Sequence, residues 1–166
     1  TTEFSLGSAS FSGDVTITAT GAVNLAGVTS AKGLSITSGG AVNLGGLTSI
    51  SSSTSISATT VNLGAVTSIA SSTVVTATDV TLTALASVGS DTTVLQTLKL
   101  VGPTSVSVPA LAAAAGNILA ADALTFAAVS LATSTGTIDV KAGATIHLKN
   151  LAATNTLADF ATMANL

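Results

Sequence analysis

Ala22-Val23-Asn24-Leu25-Ala26-Gly27-Val28-Thr29-Ser30, Ala41-Val42-Asn43-Leu44-Gly45-Gly46-Leu47-Thr48-Ser49 and Thr60-Val61-Asn62-Leu63-Gly64-Ala65-Val66-Thr67-Ser68 are near copies of one phrase, with Val23, Val42 and Val61 spaced 19 residues apart. Self-similarity at a fixed short period marks a repeat architecture and takes precedence over reading elements singly. Working outward, Val80-Thr81-Leu82-Thr83-Ala84-Leu85-Ala86-Ser87 keeps the 19-residue step but loses the Asn. Looser copies start at Phe4, Val106, Leu124 and Ile146, which gives an expectation of about eight coils of ~19 residues.

Each repeat has the same grammar. Val42-Asn43-Leu44 alternates apolar, polar, apolar, the period of a strand with Val and Leu on one face and Asn on the other. Two small residues follow, as in Gly45-Gly46, Gly64-Ala65 or Ala127-Ala128, and permit a tight corner. A second apolar segment comes next, Leu47 to Ile50 or Val66 to Ile69. A third strand follows, seen as Thr16-Ile17-Thr18, Ser35-Ile36-Thr37, Ser55-Ile56-Ser57, Val75, Val94 and Ile138. Three short strands per turn predict an all-β parallel β-helix, a β-solenoid of triangular section. One such turn cannot cover its own apolar side chains, whereas stacked turns bury them as columns. The expected inward columns are Val23, Val42, Val61, Val80 and Ile36, Ile56, Val75, Val94. Right-handed winding follows from the rule for parallel crossovers.

The 166 residues make one solenoid domain, 1–166, with regular coils over 4–95 and degenerate coils over 106–166. The long step from Val80 to Val106 places a loop insertion at 96–105, with Gly102-Pro103 as its turn. The Ala-rich stretch 111–131 is open to helix, but Val106-Ser107-Val108 and Leu124-Thr125-Phe126 keep the repeat grammar and favour solenoid. The tail 157–166 fits a last strand or a short capping helix.

Gly33-Leu34-Ser35-Ile36-Thr37-Ser38-Gly39-Gly40-Ala41-Val42-Asn43-Leu44 resembles the short Gly-, Ala- and Thr-rich repeats of filamentous haemagglutinin-type bacterial surface proteins. The resemblance covers Phe4 to Val94 best. It implies a right-handed parallel β-helix and a place in a large secreted adhesin. Leu47 to Ile50 also resembles a phrase of leucine-rich receptor L-domains, whose repeats are longer.

Composition removes several function classes. Only 7% of residues are charged and 47% are hydrophobic, and the mean hydropathy of +0.75 is high for a soluble globule. No apolar run approaches the ~18 residues of a membrane span, because Ser, Thr, Gly and Asn interrupt every candidate. The four basic residues are Lys32, Lys99, Lys141 and Lys149, with no Arg, so nucleic acid is not an expected partner. The absence of Cys excludes disulfides and thiolate metal sites and suits an extracellular or cell-surface address. The opening Thr1-Thr2-Glu3-Phe4 reads as a processed product or an excised piece.

Parallel β-helices host polysaccharide lyases and hydrolases, so chemistry has to be sought in residues and not in the fold. The acids Glu3, Asp14, Asp79, Asp91, Asp122, Asp139 and Asp159 are dispersed over nearly every coil. Asp79 and Asp122 share a corner but not a coil, which predicts solvated corner residues and not a carboxylate pair. His147 lies between inward Ile146 and Leu148 and points outward beside Lys149. No calcium-binding grammar is present. The expectation is a protein without catalytic activity, cofactor or metal.

Two surface columns remain. Asn24, Asn43 and Asn62 are placed to stack as a hydrogen-bonded amide ladder. Thr16 and Thr18, Ser35 and Thr37, and Ser55 and Ser57 flank inward Ile and form two outward hydroxyl columns, about 7 Å apart across the strand and about 4.8 Å apart along the axis. Such an array resembles those of ice-binding β-solenoids. The expected function is a structural, self-assembling extracellular solenoid: a fibre, surface-layer or adhesin-stalk subunit. Its expected partner is itself, end to end or laterally. The alternative is a module that uses the Thr/Ser ladder to bind ice, a carbohydrate or a cell surface.

Overall fold

The computed structural model describes residues 3–89, 97–120, 122–134, 136, 138–141 and 144–147. All strand pairings are parallel and join neighbouring turns, and no helix occurs among the described residues. The chain winds as a β-solenoid of about seven turns, one fewer than the repeat count suggests. The stretch 111–131 is solenoid, with strands Ala113–Ala114, Asn117–Ala120 and Thr125–Ala127. Residues 157–166 lie outside the described residues.

Three faces build each turn. Face 1 carries Phe4–Ser5, Val23–Asn24, Val42–Asn43, Thr60–Asn62 and Asp79–Thr81 as one sheet. Ser105–Ser107, Thr125–Ala127 and Thr145–His147 occupy the same place in later turns as a separate sheet. Face 2 carries Ser49–Ile50, Ser68–Ile69, Ser87–Val88, Ala113–Ala114 and Thr133–Ser134. Face 3 is the continuous one: Ala9–Ala19, Val28–Ser38, Thr54–Ser57, Thr73–Thr76, Thr97–Val101, Asn117–Ala120 and Ile138–Val140. In the first two turns the face-3 strand is 11 residues long and runs through the corner from face 2, with one register shift near its start, between Ala9 and Ser10, and one at the corner, between Phe11 and Asp14.

Face 1 passes to face 2 through the same turn each time. The N–H of Val28 donates to the carbonyl of Leu25, Leu47 to Leu44, Val66 to Leu63, Leu85 to Leu82, Leu111 to Val108 and Leu131 to Ala128. The flanking apolar residues are buried and the two central residues face outward or lie at the rim. This is a β-turn whose central pair need only be compact, and Pro109 fits its first central position because its fixed φ suits it. Stacking places Val23, Val42 and Val61 in one buried column, and Leu25, Leu44, Leu63 and Leu82 in the next.

Three expectations about register are corrected. Leu124 is 49% exposed, and Phe126 takes the inward position between Val106 and Ile146, so the last turns repeat regularly every 20 residues. The corner of that turn is accordingly Val129-Ser130, not Ala127-Ala128. Val94 lies outside the described residues, and the place beside Val75 belongs to Leu100. Thr97–Val101 and Ser105–Ser107 are strands within the span 96–105 and its border, where a loop was expected. Face 2 reaches face 3 in four residues from Ile69 to Thr73 but in ten from Val88 to Leu98, so six of the extra residues enter there. One more enters at the Gly102-Pro103 corner, where the two face-1 sheets part and where Pro103 has no N–H to offer a ladder.

The first turn differs from the rest in burial. Phe4, Leu6, Phe11, Val15, Ile17 and Ala19 are inward residues that remain partly open, with Phe4 40% exposed. Their counterparts one turn on, Val23, Leu25, Ala31, Leu34, Ile36 and Ser38, are all buried. No strand pairs with the outer edge of Phe4–Ser5 or Ala9–Ala19 among the described residues.

Candidate functional site

The Asn column is a built ladder. Asn43 Nδ2 donates to Asn24 Oδ1 at 3.3 Å, and Asn62 Nδ2 donates to Asn43 Oδ1 at 3.0 Å. Each Oδ1 also accepts the backbone N–H two residues on: Ala26 at 3.2 Å, Gly45 at 3.1 Å and Gly64 at 2.9 Å. Asn is a poor strand former in general, but here its amide closes the entry to the β-turn and links it to the turn above. The ladder ends at Thr81, which pairs with Asn62 in the strand register. At the next corner residue Thr83 Oγ1 donates to Gly64 O at 3.3 Å. All three Oδ1 atoms, and the Nδ2 of Asn43 and of Asn62, are thus engaged in the fold itself.

The hydroxyl columns lie on face 3. Thr16, Ser35 and Ser55 are in register, as are Thr18, Thr37 and Ser57, and all six are exposed. The second column extends to exposed Thr76, then changes to Val101. The first column continues as Val74, Lys99, Leu119 and Asp139. The hydroxyl patch is therefore three to four turns deep and gives way to an outer face of Val, Lys and Leu.

A second hydroxyl surface went unrecognised in the sequence. Thr48-Ser49 and Thr67-Ser68 sit at equivalent positions on face 2, with Thr67 Oγ1 donating to Thr48 O at 3.1 Å. The signal was the repeated Thr-Ser after each inward Leu or Val. From the next turn on the Thr position becomes Ala86, Ala112 and Ala132, whereas the Ser position continues as Ser87, Ala113 and Thr133.

The charged side chains are not brought together. Asp79 opens the strand Asp79–Thr81, whereas Asp122 lies two turns further on, about 10 Å along the axis. Asp122 Oδ2 accepts the Gly102 N–H at 2.8 Å, a structural bond across adjacent turns. His147 is exposed on the outer side of face 1, opposite Ala127. Asp91, Lys149 and Asp159 lie outside the described residues. Among the described residues no three His, Cys, Asp or Glu side chains converge as a metal site, and no helix is long and apolar enough to cross a membrane.

Compared with known proteins, the chain matches no protein-family model, no curated protein and no solved structure.

Proposed function

We propose that this chain is a structural, self-assembling extracellular solenoid, a subunit or segment of a fibre, surface layer or adhesin stalk. The observation that carries the proposal is the open first turn. Phe4, Leu6, Phe11, Val15 and Ile17 are inward residues that no other described residue covers from outside, beside two strands whose outer edges no described strand pairs. Soluble solenoids protect such an end with a polar cap or a covering element, because an unpaired edge is a template for another chain. The low charge of 7% of the chain supports the same reading, since soluble globular domains average about 25% charged residues. The dispersed acids and the repeat-level resemblance to filamentous haemagglutinin-type proteins support a non-catalytic, cell-surface role. Light scattering over a concentration series with negative-stain imaging tests it. The expected result is mass that rises with concentration and elongated particles, and a strict monomer at every concentration would refute the proposal.

A second reading is favoured by one observation, the six exposed hydroxyls Thr16, Thr18, Ser35, Thr37, Ser55 and Ser57 in two straight columns. Their spacing suits a regular surface such as ice or an ordered polysaccharide. Thermal hysteresis lost in Thr37→Lys would support it, and the absence of any effect on crystal growth would remove ice as the ligand.

A further inference from the structure

We infer that face 3 of the later turns packs laterally against the same face of a second copy of this chain, with the two solenoids antiparallel and Leu119 against Leu119. The inference names a contact within the self-assembly proposed above and rests on it. Lys99, Leu119 and Asp139 stack on the outer side of face 3, one per turn, with Lys99 opposite Leu119 and Leu119 opposite Asp139 in the strand register. Lys99 and Asp139 are exposed, and Leu119 is half-buried. The two charges stand two turns apart, about 10 Å along the axis, with Leu119 between them. Among the described residues neither forms an ion pair. An apolar residue midway between opposite charges makes the column complementary to its own reverse.

Two copies of one face pack isologously about a two-fold axis that lies between them. An axis parallel to the solenoid would set Lys99 against Lys99 and Asp139 against Asp139, which like-charge repulsion opposes. An axis along the strands, level with Leu119, reverses the order of turns instead. Lys99 of each copy then faces Asp139 of the other, and Leu119 faces Leu119. No other offset along the solenoid pairs both charges. Packed sheets lie about 10 Å apart, a gap that a Lys and an Asp side chain span from opposite sides. Two residues further along the strand, half-buried Val101 meets exposed Lys141, whose methylene stem can cover it while the ammonium stays in water. The contact covers about 240 Å² on each copy, well under the roughly 800 Å² that a stable partner buries. It is therefore weak singly and gains strength where several copies are already joined.

Charge reversal in the full 166-residue chain tests the contact by sedimentation equilibrium, with concentrations up to about 1 mM to reach a weak association. Both side chains are exposed, so the circular dichroism of each variant is expected to match the native chain. Lys99→Asp makes the column acidic at both ends, and Asp139→Lys makes it basic at both ends. Each variant alone is expected to associate roughly tenfold more weakly than the native chain, because both reciprocal pairs turn repulsive. An equimolar mixture sets an acidic column against a basic one and is expected to regain native association as a heterodimer. The double variant Lys99→Asp with Asp139→Lys is expected to regain it unmixed. Single variants that associate as the native chain does, or a mixture that associates no better than its parts, overturn the face-3 contact and leave the self-assembling role standing. A native chain that is monomeric throughout overturns both.

Discussion

Leu100 lies directly opposite Val75 on face 3 although 25 residues separate them, where Ile56 and Val75 are 19 apart. The ladder therefore resumes its register after absorbing an insertion, and the inward column continues without a vacancy. The stacking seen at this point is made by residues on either side of the insertion. Shortening a connection from ten residues to four changes closure entropy by less than about 1 kcal/mol. Deleting residues 91–96 is expected to leave the far-ultraviolet circular dichroism unchanged and to shift unfolding free energy by no more than that. Loss of a cooperative transition would show that the inserted residues are needed for the stack.

Phe126 and Leu124 offer the sharpest check of the register in the later turns. Phe126 is fully buried between Val106 and Ile146, while Leu124 is half-exposed at the corner. Truncating a buried Phe removes its transfer energy and leaves a cavity that a continuous stack of turns cannot easily close. Phe126→Ala should cost about 3–5 kcal/mol and Leu124→Ala less than about 1 kcal/mol by denaturant titration. The reverse order would place the turn in the other register.

The difference between these two residues also explains where the sequence was hard to read. Leu124-Thr125-Phe126 and Phe126-Ala127-Ala128 both satisfy apolar-x-apolar, and only the second leaves the five-residue spacing to the next buried Leu131 that Val23 to Val28 and Val42 to Leu47 show. Val94 was reached by counting forward from Val80 across an insertion, whereas counting back six residues from Val106, as from Val42 to Ile36, reaches Leu100. The three copies that begin at Val23, Val42 and Val61 needed no such choice, because Asn24, Asn43 and Asn62 fix the phase of each. The Asn ladder was thus legible as a column, but its bonds to Ala26, Gly45 and Gly64 were not, since they depend on the β-turn conformation.

Asn43 makes three side-chain hydrogen bonds, to Asn24, Asn62 and the Gly45 N–H, where Asn24 and Asn62 each make two. It is also half-buried, so neighbours that lose it are not fully rehydrated. Asn43→Ala should destabilise the chain by about 1–2 kcal/mol, more than Asn62→Ala at the exposed end of the ladder. Equal effects from the two would mean that the amides act singly and not as a ladder.

Gly102 joins three successive turns. Its φ of 103° lies where side chains are strained, and an added Cβ would come within 2.5 Å of the Ala77 carbonyl one turn before it. Its N–H donates to the Asp122 carboxylate one turn after it. The neighbour on the crowded side is backbone held in the solenoid, since the Ala77 N–H itself donates to Val101 O at 2.9 Å, so it cannot swing aside as a long side chain would. Gly102→Ala is expected to cost about 1–3 kcal/mol. Gly13 is the matched control, with an ordinary φ and nothing within 4 Å of an added Cβ. Gly13→Ala should stay within about 0.5 kcal/mol of the native chain. Thermal and urea unfolding of the two variants side by side separates the cost of this backbone conformation from that of adding a methyl group, and equal stabilities would rule the left-handed corner out.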